Sequence, residues 1–219
     1  MKLRWTLFGL IVIGCLPITG IDSALGAEAA VRGGEGPEAA WIGKAVSVQG
    51  SVLAQRQGRV DWQPVSPDDV FSLGDRIRVE ANSRACIVLS NDAVLRLDQN
   101  TTLVFTEIEH EKTFILRLLE GAANFFSHRP RSLKILTPFV NGVVEGTEFY
   151  VRVDDDRTRI DLFAGRILAE NPHGSLALVP GQGAVAADGS APRRQILVQP
   201  RDSVQWALYY PPILDPALA

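Results

Sequence analysis

The segment Thr137–Val153 constrains the fold more strongly than any other part of this sequence. Pro138 restricts the backbone near its start, and the pair Asn141-Gly142 is a strong signal for a tight turn. Gly146 supplies either a positive φ angle or room for a close backbone approach. The first half of the segment therefore predicts a turn, and we expect an extended strand to follow it.

The residues after Gly146 alternate between apolar and polar side chains. Such alternation is typical of a strand in a two-faced sheet, because successive side chains point to opposite sides. The apolar set, which includes Phe149, is expected on one face, and the polar set with Tyr150 on the other. The alternation resumes at 158–163, so the sequence predicts a β-hairpin that closes at Gly165. The positions that define this motif are Pro138, Gly142, Gly146, Thr147, Phe149 and Gly165.

Hairpins are predicted along most of the remaining chain. Three of them have short turns: Val46–Trp62, Ala85–Leu97 and Thr102–Leu119. Residues 176–179 are expected to pair with 184–186, and 196–198 to add a last strand. No amphipathic helix of ten or more residues is predicted after the apolar N-terminal segment.

Gly121 and Gly165 follow similar strand patterns and lie 44 residues apart. This spacing indicates two copies of one hairpin module, each burying its apolar face against the next. The sequence therefore predicts an all-β fold, either a short β-solenoid or a twisted β-sandwich built of stacked hairpins.

The first 27 residues have the layout of a secretory signal peptide. Lys2 and Arg4 precede the apolar run Trp5–Leu16, and small residues follow at Ser23–Ala27. About twenty residues are needed to span a bilayer, so the apolar run is too short for a permanent helical anchor. We expect a signal peptide at 1–27, a flexible leader at 28–40, and a periplasmic or secreted mature protein.

A second processing site is an alternative to this cleavage. Residues Val12–Cys15 loosely match the lipobox of bacterial lipoproteins, in which the cysteine becomes the lipidated first residue. Lipidation of Cys15 would anchor the protein to a membrane, and no other membrane association is predicted.

Charge and motif content exclude several classes of function. The net charge of −3 and a pI of about 5.7 disfavour nucleic acid as a partner, because phosphate binding needs a concentrated basic surface. Three isolated histidines (His110, His128 and His173) show no metal-ligand spacing, and Asp154–Asp156 is explained as a hairpin tip. Cys86 lies in an apolar strand and is expected to be a buried thiol. No catalytic residue, cofactor or metal is predicted.

The ordered short motifs resemble those of the FecR domain family of bacterial periplasmic proteins. In order along the chain they are Gly50, Leu73–Ile77, Asn82–Ala85, Leu95–Leu97, Leu119–Gly121, Ile135–Pro138, Val144–Phe149 and Gly165. The resemblance covers about Trp41–Val185 and implies a FecR-like all-β domain over residues 41–199. It also implies a non-catalytic module that binds a protein or an envelope polymer in signalling or scaffolding.

An aromatic and proline-rich extension occupies residues 200–219. It resembles the junction that precedes tetratricopeptide repeats in longer FecR-domain proteins. Trp206, Tyr209 and Tyr210 either pack back on the domain as a lid or dock a protein partner, such as a tetratricopeptide-repeat protein or an envelope receptor.

A function of a different class remains open alongside the binding module. A β-fold of this kind can also host an enzyme acting on cell-wall or extracellular polysaccharide, or a glycan-binding protein. The enzyme hypothesis predicts a groove lined by two or more acidic side chains with perturbed pKa values. The binding hypothesis predicts an apolar or aromatic patch that includes the three aromatic residues of the extension.

Overall fold

The computed structural model describes residues 41–109, 113–198 and 202–209. Within these residues the chain forms strands and one short 3₁₀ helix, so the all-β prediction is confirmed. The strands are β1 Gly43–Gln49, β2 Val52–Gln55, β3 Gln63–Pro64, β4 Val70–Phe71, β5 Arg76–Val79, β6 Arg84–Leu89, β7 Val94–Leu97, β8 Thr101–Glu109, β9 Thr113–Leu136, β10 Asn141–Val153, β11 Arg157–Asn171, β12 Gly174–Leu178, β13 Gln182–Ala187 and β14 Arg193–Ile196. The 3₁₀ helix is Asp202–Tyr209.

The strands form one branched sheet that is organised around β9. The main path runs β14-β13-β11-β10-β9-β7-β6-β1-β4, and β12 adds to the edge of β11. A second branch leaves β9 through β8 and continues to β5, β2 and β3. Because β9 is 24 residues long, it pairs with β8 over residues 113–120, with β7 over 123–126 and with β10 over 121–135.

The two branches enclose the apolar core between them. Phe71 of β4 stacks on Phe105 of β8 with ring centroids 5.0 Å apart, although these strands belong to different branches. Further along the core, Phe125 and Phe149 stack at 4.8 Å with an interplanar angle of 8°. Burial of these large side chains is the main force that closes the sheet on itself.

Three predicted hairpins are confirmed. Residues Ala85–Leu97 form β6 and β7, Thr102–Leu119 lies in β8 and β9, and the hairpin of the organising segment is β10 and β11. The end predicted for this last hairpin at Gly165 is wrong, because β11 continues to Asn171 and pairs with β10 as far as Glu170. Phe149 faces the core, as the alternation predicts. The polar break at Asp154–Asp156 lies at the tip of the β10–β11 hairpin.

The turn predicted at Asn141-Gly142 is displaced toward the N-terminus. The chain turns at Thr137–Val140, and β10 already begins at Asn141. The Asn141 side chain accepts a hydrogen bond from the Thr137 amide at 3.2 Å, so the asparagine closes the turn from a strand position. Gly142 lies inside the strand and is buried.

The predicted hairpin Val46–Trp62 is wrong, because β1 and β2 do not belong to one hairpin. Strand β1 pairs with β6 and β4, whereas β2 pairs with β5 and β3, because the chain changes branch at Gly50 with a φ of +73°. The later turn does exist, but the strand after it is β3 and not 60–62. Val60 is 90% exposed.

The pairing predicted for 176–179 with 184–186 is also wrong. Strands β12 and β13 lie end to end along the same edge of β11 and each pairs with it. The 15 residues of β11 provide room for both short strands. The last predicted strand is found as β14, which pairs with β13 two to three residues before the predicted position.

Three of the predicted glycine positions have a positive φ angle, a backbone conformation that glycine adopts easily. Gly146 has a φ of +51° at a register shift between β10 and both neighbouring strands, so it forms a β-bulge. Gly121 and Gly165 both have a φ of +84° inside long strands. A Cβ atom at Gly121 would lie 2.3 Å from the carbonyl oxygen of Asn100, so the backbone passes too closely for any side chain.

The motif at Leu73–Ile77 has a structural role through Asp75. This buried carboxylate accepts hydrogen bonds from the Arg56 guanidinium at 2.8 Å, from the Gln57 amide at 2.9 Å and from the Ser72 amide at 3.0 Å. It therefore ties the β2–β3 loop to the β4–β5 loop. A buried charge with three partners is strongly favoured over an unpaired one.

Several predictions concern residues outside the described part of the chain. These are the signal peptide 1–27, the leader 28–40, Cys15, His110, Tyr210 and the segment 211–219. No helix among residues 41–109, 113–198 and 202–209 has both the length and the hydrophobicity to cross a membrane.

Candidate binding face

The sheet face that points away from the core carries a row of polar side chains. Five cross-strand neighbours form this row on five adjacent strands: Cys86, Arg96, Asn124, Tyr150 and Asp161. All except Arg96 are buried. We call the face of β6, β7, β9, β10 and β11 that carries this row the outer face.

The 3₁₀ helix covers the middle of the outer face. Val204 and Ala207 are 5% and 2% exposed, and they pack with Cys86, Ala122 and Tyr150 in a second apolar cluster. The Nη1 atom of Arg96 donates a hydrogen bond to the Ala207 carbonyl oxygen at 3.3 Å. The helix is therefore attached by both apolar packing and a backbone contact.

Trp206 lies half-buried at the border of this cluster. The Arg84 guanidinium carbon is 5.8 Å from the centre of its ring, which is within the range of a cation–π contact. Arg84 also forms an ion pair with Asp98, with an Nε to Oδ1 distance of 3.3 Å. This contact places Trp206 on the domain, as the lid alternative expects, while partner docking remains a prediction. The side chain of Tyr209 and the whole of Tyr210 lie outside the described residues.

The electrostatics of the outer face follow from its burial. Desolvation raises the pKa of the Cys86 thiol to about 11, and the nearby Arg96 charge opposes this shift without offsetting it. Burial likewise raises the pKa of Tyr150. The Asp161 carboxylate has no exposed surface and pairs with Arg159, with an Nη2 to Oδ2 distance of 2.8 Å. The Oδ1 atom of Asn124 is buried and accepts no hydrogen bond from the described residues.

A polar pocket of about 240 Å³ lies beside Trp206 at one end of the sheet. Its walls are Gln49, Asn82, Ser83, Arg84, Asp98 and Gln99. Three tight turns build it: the one after β1, the one between β5 and β6, and the one between β7 and β8. The Ser83 hydroxyl accepts a hydrogen bond from the Ser51 amide at 2.8 Å, and the Gln99 side chain accepts one from the Asn82 amide at 2.8 Å. These bonds hold the turns against one another.

Burial limits the reactivity of the one thiol on this face. Cys86 is confirmed as a buried thiol. Its raised pKa keeps it protonated at neutral pH, whereas the reactive form of a cysteine is the thiolate. His173 is exposed in the turn between β11 and β12. Within the described ranges, no three acidic, histidine or cysteine side chains group as metal ligands.

Sequence reasoning missed most of the buried row. Tyr150 was expected on the polar face of its strand, and it does lie there, but the 3₁₀ helix buries it. Asn124 gave the one available signal, because it interrupts the apolar run 122–126. An amide in such a position must find a partner or a cover, and the sequence alone does not show which.

Comparison with known proteins finds a family match and a similar fold among solved structures. Residues 75–168 match the family described as FecR protein. Two crystal structures of a candidate anti-sigma factor from Parabacteroides distasonis ATCC 8503, at 2.50 and 1.65 Å resolution, have the same fold, each with a TM-score of 0.54 and 16% identity. The match covers 60% of this chain and 63% or 64% of those chains, so less than two thirds of their length is spanned. No curated protein matches the chain.

Proposed function

Because residues 75–168 of this chain carry a FecR domain, we propose that it is a non-catalytic module that binds a protein partner in cell-envelope signalling. The family match and the anti-sigma description of the structural neighbour support a regulatory role. In this proposal the mature protein works in the periplasm or outside the cell, after loss of residues 1–27.

The presentation of Trp206 is the observation that carries the proposal. Its helix is fixed to the outer face by Val204 and Ala207, and its ring is positioned by Arg84. Part of the indole remains available to solvent. A large aromatic side chain that is held in place yet not fully buried has the properties of an interface hot spot, because little entropy is lost when it binds.

The polar pocket favours binding over hydrolysis. An enzyme that cleaves glycosidic bonds in the usual way needs two carboxyl groups that flank the bond. Among the described residues that line the pocket, Asp98 is the one carboxylate, and it is paired with Arg84. These described walls therefore do not supply the second carboxylate of a hydrolytic pair.

The partner in this proposal is a protein, either a tetratricopeptide-repeat protein or an envelope receptor. Tyr209 and Tyr210 extend the docking segment beyond Trp206 in the sequence. Aromatic side chains are enriched at protein interfaces, which supports a protein ligand for this segment.

Affinity purification from the cell envelope tests the proposal. The intact chain is compared with a chain that ends at Pro200 and with the triple variant Trp206→Ala, Tyr209→Ala, Tyr210→Ala. Trp62→Ala is a matched control, because Trp62 is also half-buried and contacts an arginine, Arg78, at 4.2 Å. We expect one protein to be retained by the intact chain and the control and lost from both altered chains. Retention by all four proteins would contradict the proposal.

A further inference from the structure

The polar pocket beside Trp206 is pre-formed. Its three turns are joined by hydrogen bonds in which the Ser83 and Gln99 side chains accept from backbone amides. In addition, the Glu80 amide donates a hydrogen bond to the Ser51 carbonyl oxygen at 3.0 Å. A Cβ atom on Gly50 would lie 2.4 Å from the Ser83 hydroxyl, so the turns are in tight contact. A ligand entering this pocket finds the walls already ordered and needs little rearrangement to bind.

The lining of the pocket matches a neutral, hydroxyl-rich ligand. The carboxamides of Gln49, Asn82 and Gln99 each carry both donors and an acceptor, as a hydroxyl group requires of its partner. Arg84 and Asp98 contribute one charge of each sign, and they neutralise each other in an ion pair. An inorganic anion or cation would have to compete with that pair, and an apolar ligand would leave the amides unsatisfied.

The size and surroundings of the pocket restrict the ligand further. Pockets for drug-sized molecules occupy about 300–1,000 Å³, so a volume of about 240 Å³ suits a smaller group such as a single sugar ring. The described residues that line the pocket are polar or charged, and Trp206 is not one of them. The sugar ring would therefore be recognised through its hydroxyl groups, which pair with donors and acceptors of the walls.

We propose that this pocket binds one neutral sugar unit of a glycan. The inference is independent of the protein-docking role, since Gln49, Asn82 and Gln99 belong to the sheet end and not to the 3₁₀ helix. It adds a second ligand class, carbohydrate, to the same molecule. The open mouth of the pocket allows the remaining units of an oligosaccharide to extend into solvent.

Calorimetric titration and ligand-observed NMR of the full chain test the proposal. The probes are three neutral trisaccharides, chitotriose, maltotriose and cellotriose, with sodium sulfate as an anionic comparison. We expect saturable binding of at least one trisaccharide and weaker binding of sulfate. Failure of all three to bind, or sulfate binding more tightly than each of them, would overturn the proposal.

Matched variants locate the binding. Gln49→Ala should reduce the affinity for the bound trisaccharide at least fivefold. The fold should be unaffected, because the Gln49 side chain makes no hydrogen bond to the described residues. Gln195→Ala is the control, as Gln195 also lies on a strand, is exposed and is remote from the pocket in the sheet order. Asp98→Asn tests the charged wall and should also weaken binding. Equal affinities of Gln49→Ala and Gln195→Ala would overturn the assignment even if Asp98→Asn failed to fold.

Discussion

Cys86 and Arg96 lie directly opposite each other on the paired strands β6 and β7, beneath the 3₁₀ helix. The thiol is fully buried, and burial outweighs the attraction of the guanidinium, so the pKa of Cys86 rises from 9.0 to about 11. The pair therefore reports on the cover of the outer face, because any loss of that cover changes the environment of the thiol.

The raised pKa of Cys86 predicts a loss of stability at alkaline pH. Below pH 9 the thiol is protonated in both states, whereas between pH 9 and about 11 it ionises only when the chain unfolds. The unfolded state then binds fewer protons, so the free energy of unfolding decreases as pH rises, by about 2 kcal/mol across this window. Urea unfolding at pH 8.5 and 10.5 measures the loss of stability. Cys86→Ala should lose less stability between these two pH values, because it lacks the thiol. An identical loss in that variant would show that Cys86 is not the group responsible.

Docking of the 3₁₀ helix should protect Cys86 from thiol reagents. Val204→Asp places a charge in the apolar cluster, which should detach the helix and increase the rate of Cys86 modification at least tenfold. Gln205→Asp introduces the same residue at the adjacent exposed position and should leave the rate unchanged. Reaction with a chromogenic disulfide at pH 8 gives both rates. Equal protection in the two variants would show that the helix is not the cover.

Stacking of Phe149 on Phe125 should make the Phe149 side chain a large contributor to the stability of the core. Phe149→Ala removes a fully buried ring and is expected to cost about 3–5 kcal/mol of unfolding free energy. Phe126→Ala is the control, because Phe126 lies half-buried on the outer face, 4.9 Å from the Arg96 guanidinium. Its cost in equilibrium urea unfolding should be less than half as large. Comparable costs would place the core on the wrong face of β9.

Close backbone packing at Gly121 predicts a larger penalty than a positive φ alone. Gly58→Ala introduces a side chain at a φ of +74° in open space and should cost about 1–2 kcal/mol. Gly121→Ala adds a clash with Asn100 and Thr101 at a φ of +84°, worth about a further 1–3 kcal/mol. The melting temperatures of the two variants measure the difference. If Gly121→Ala melts no lower than Gly58→Ala, the close approach is not as tight as described.

The local part of this fold could be predicted from the sequence. Alternation of side chains defined the β6–β7, β8–β9 and β10–β11 hairpins, because each depends on neighbouring residues and a short turn. Gly146 was recognised as a special backbone position for the same reason. The turn at Asn141-Gly142 was misplaced because the asparagine side chain serves the preceding turn while its backbone joins the strand.

The long-range part could not be predicted from local patterns. Nothing near Gly50 shows that β1 and β2 separate into different branches, since that choice depends on which distant strands offer a better pairing edge. The same limit applies to the outer face. Tyr150 looks like an exposed residue on a polar strand face until a segment more than fifty positions later packs over it.

Photo-crosslinking from position 206 tests the central claim most directly. Trp206 is replaced by benzoylphenylalanine, and the variant is expressed in the cells from which the protein comes. The crosslinked species are compared with those obtained from the same replacement at Trp62. We expect a discrete protein adduct from position 206 and none of the same mass from position 62. Adducts of identical mass from both positions, or none from position 206 while the fold is intact, would contradict docking at this face.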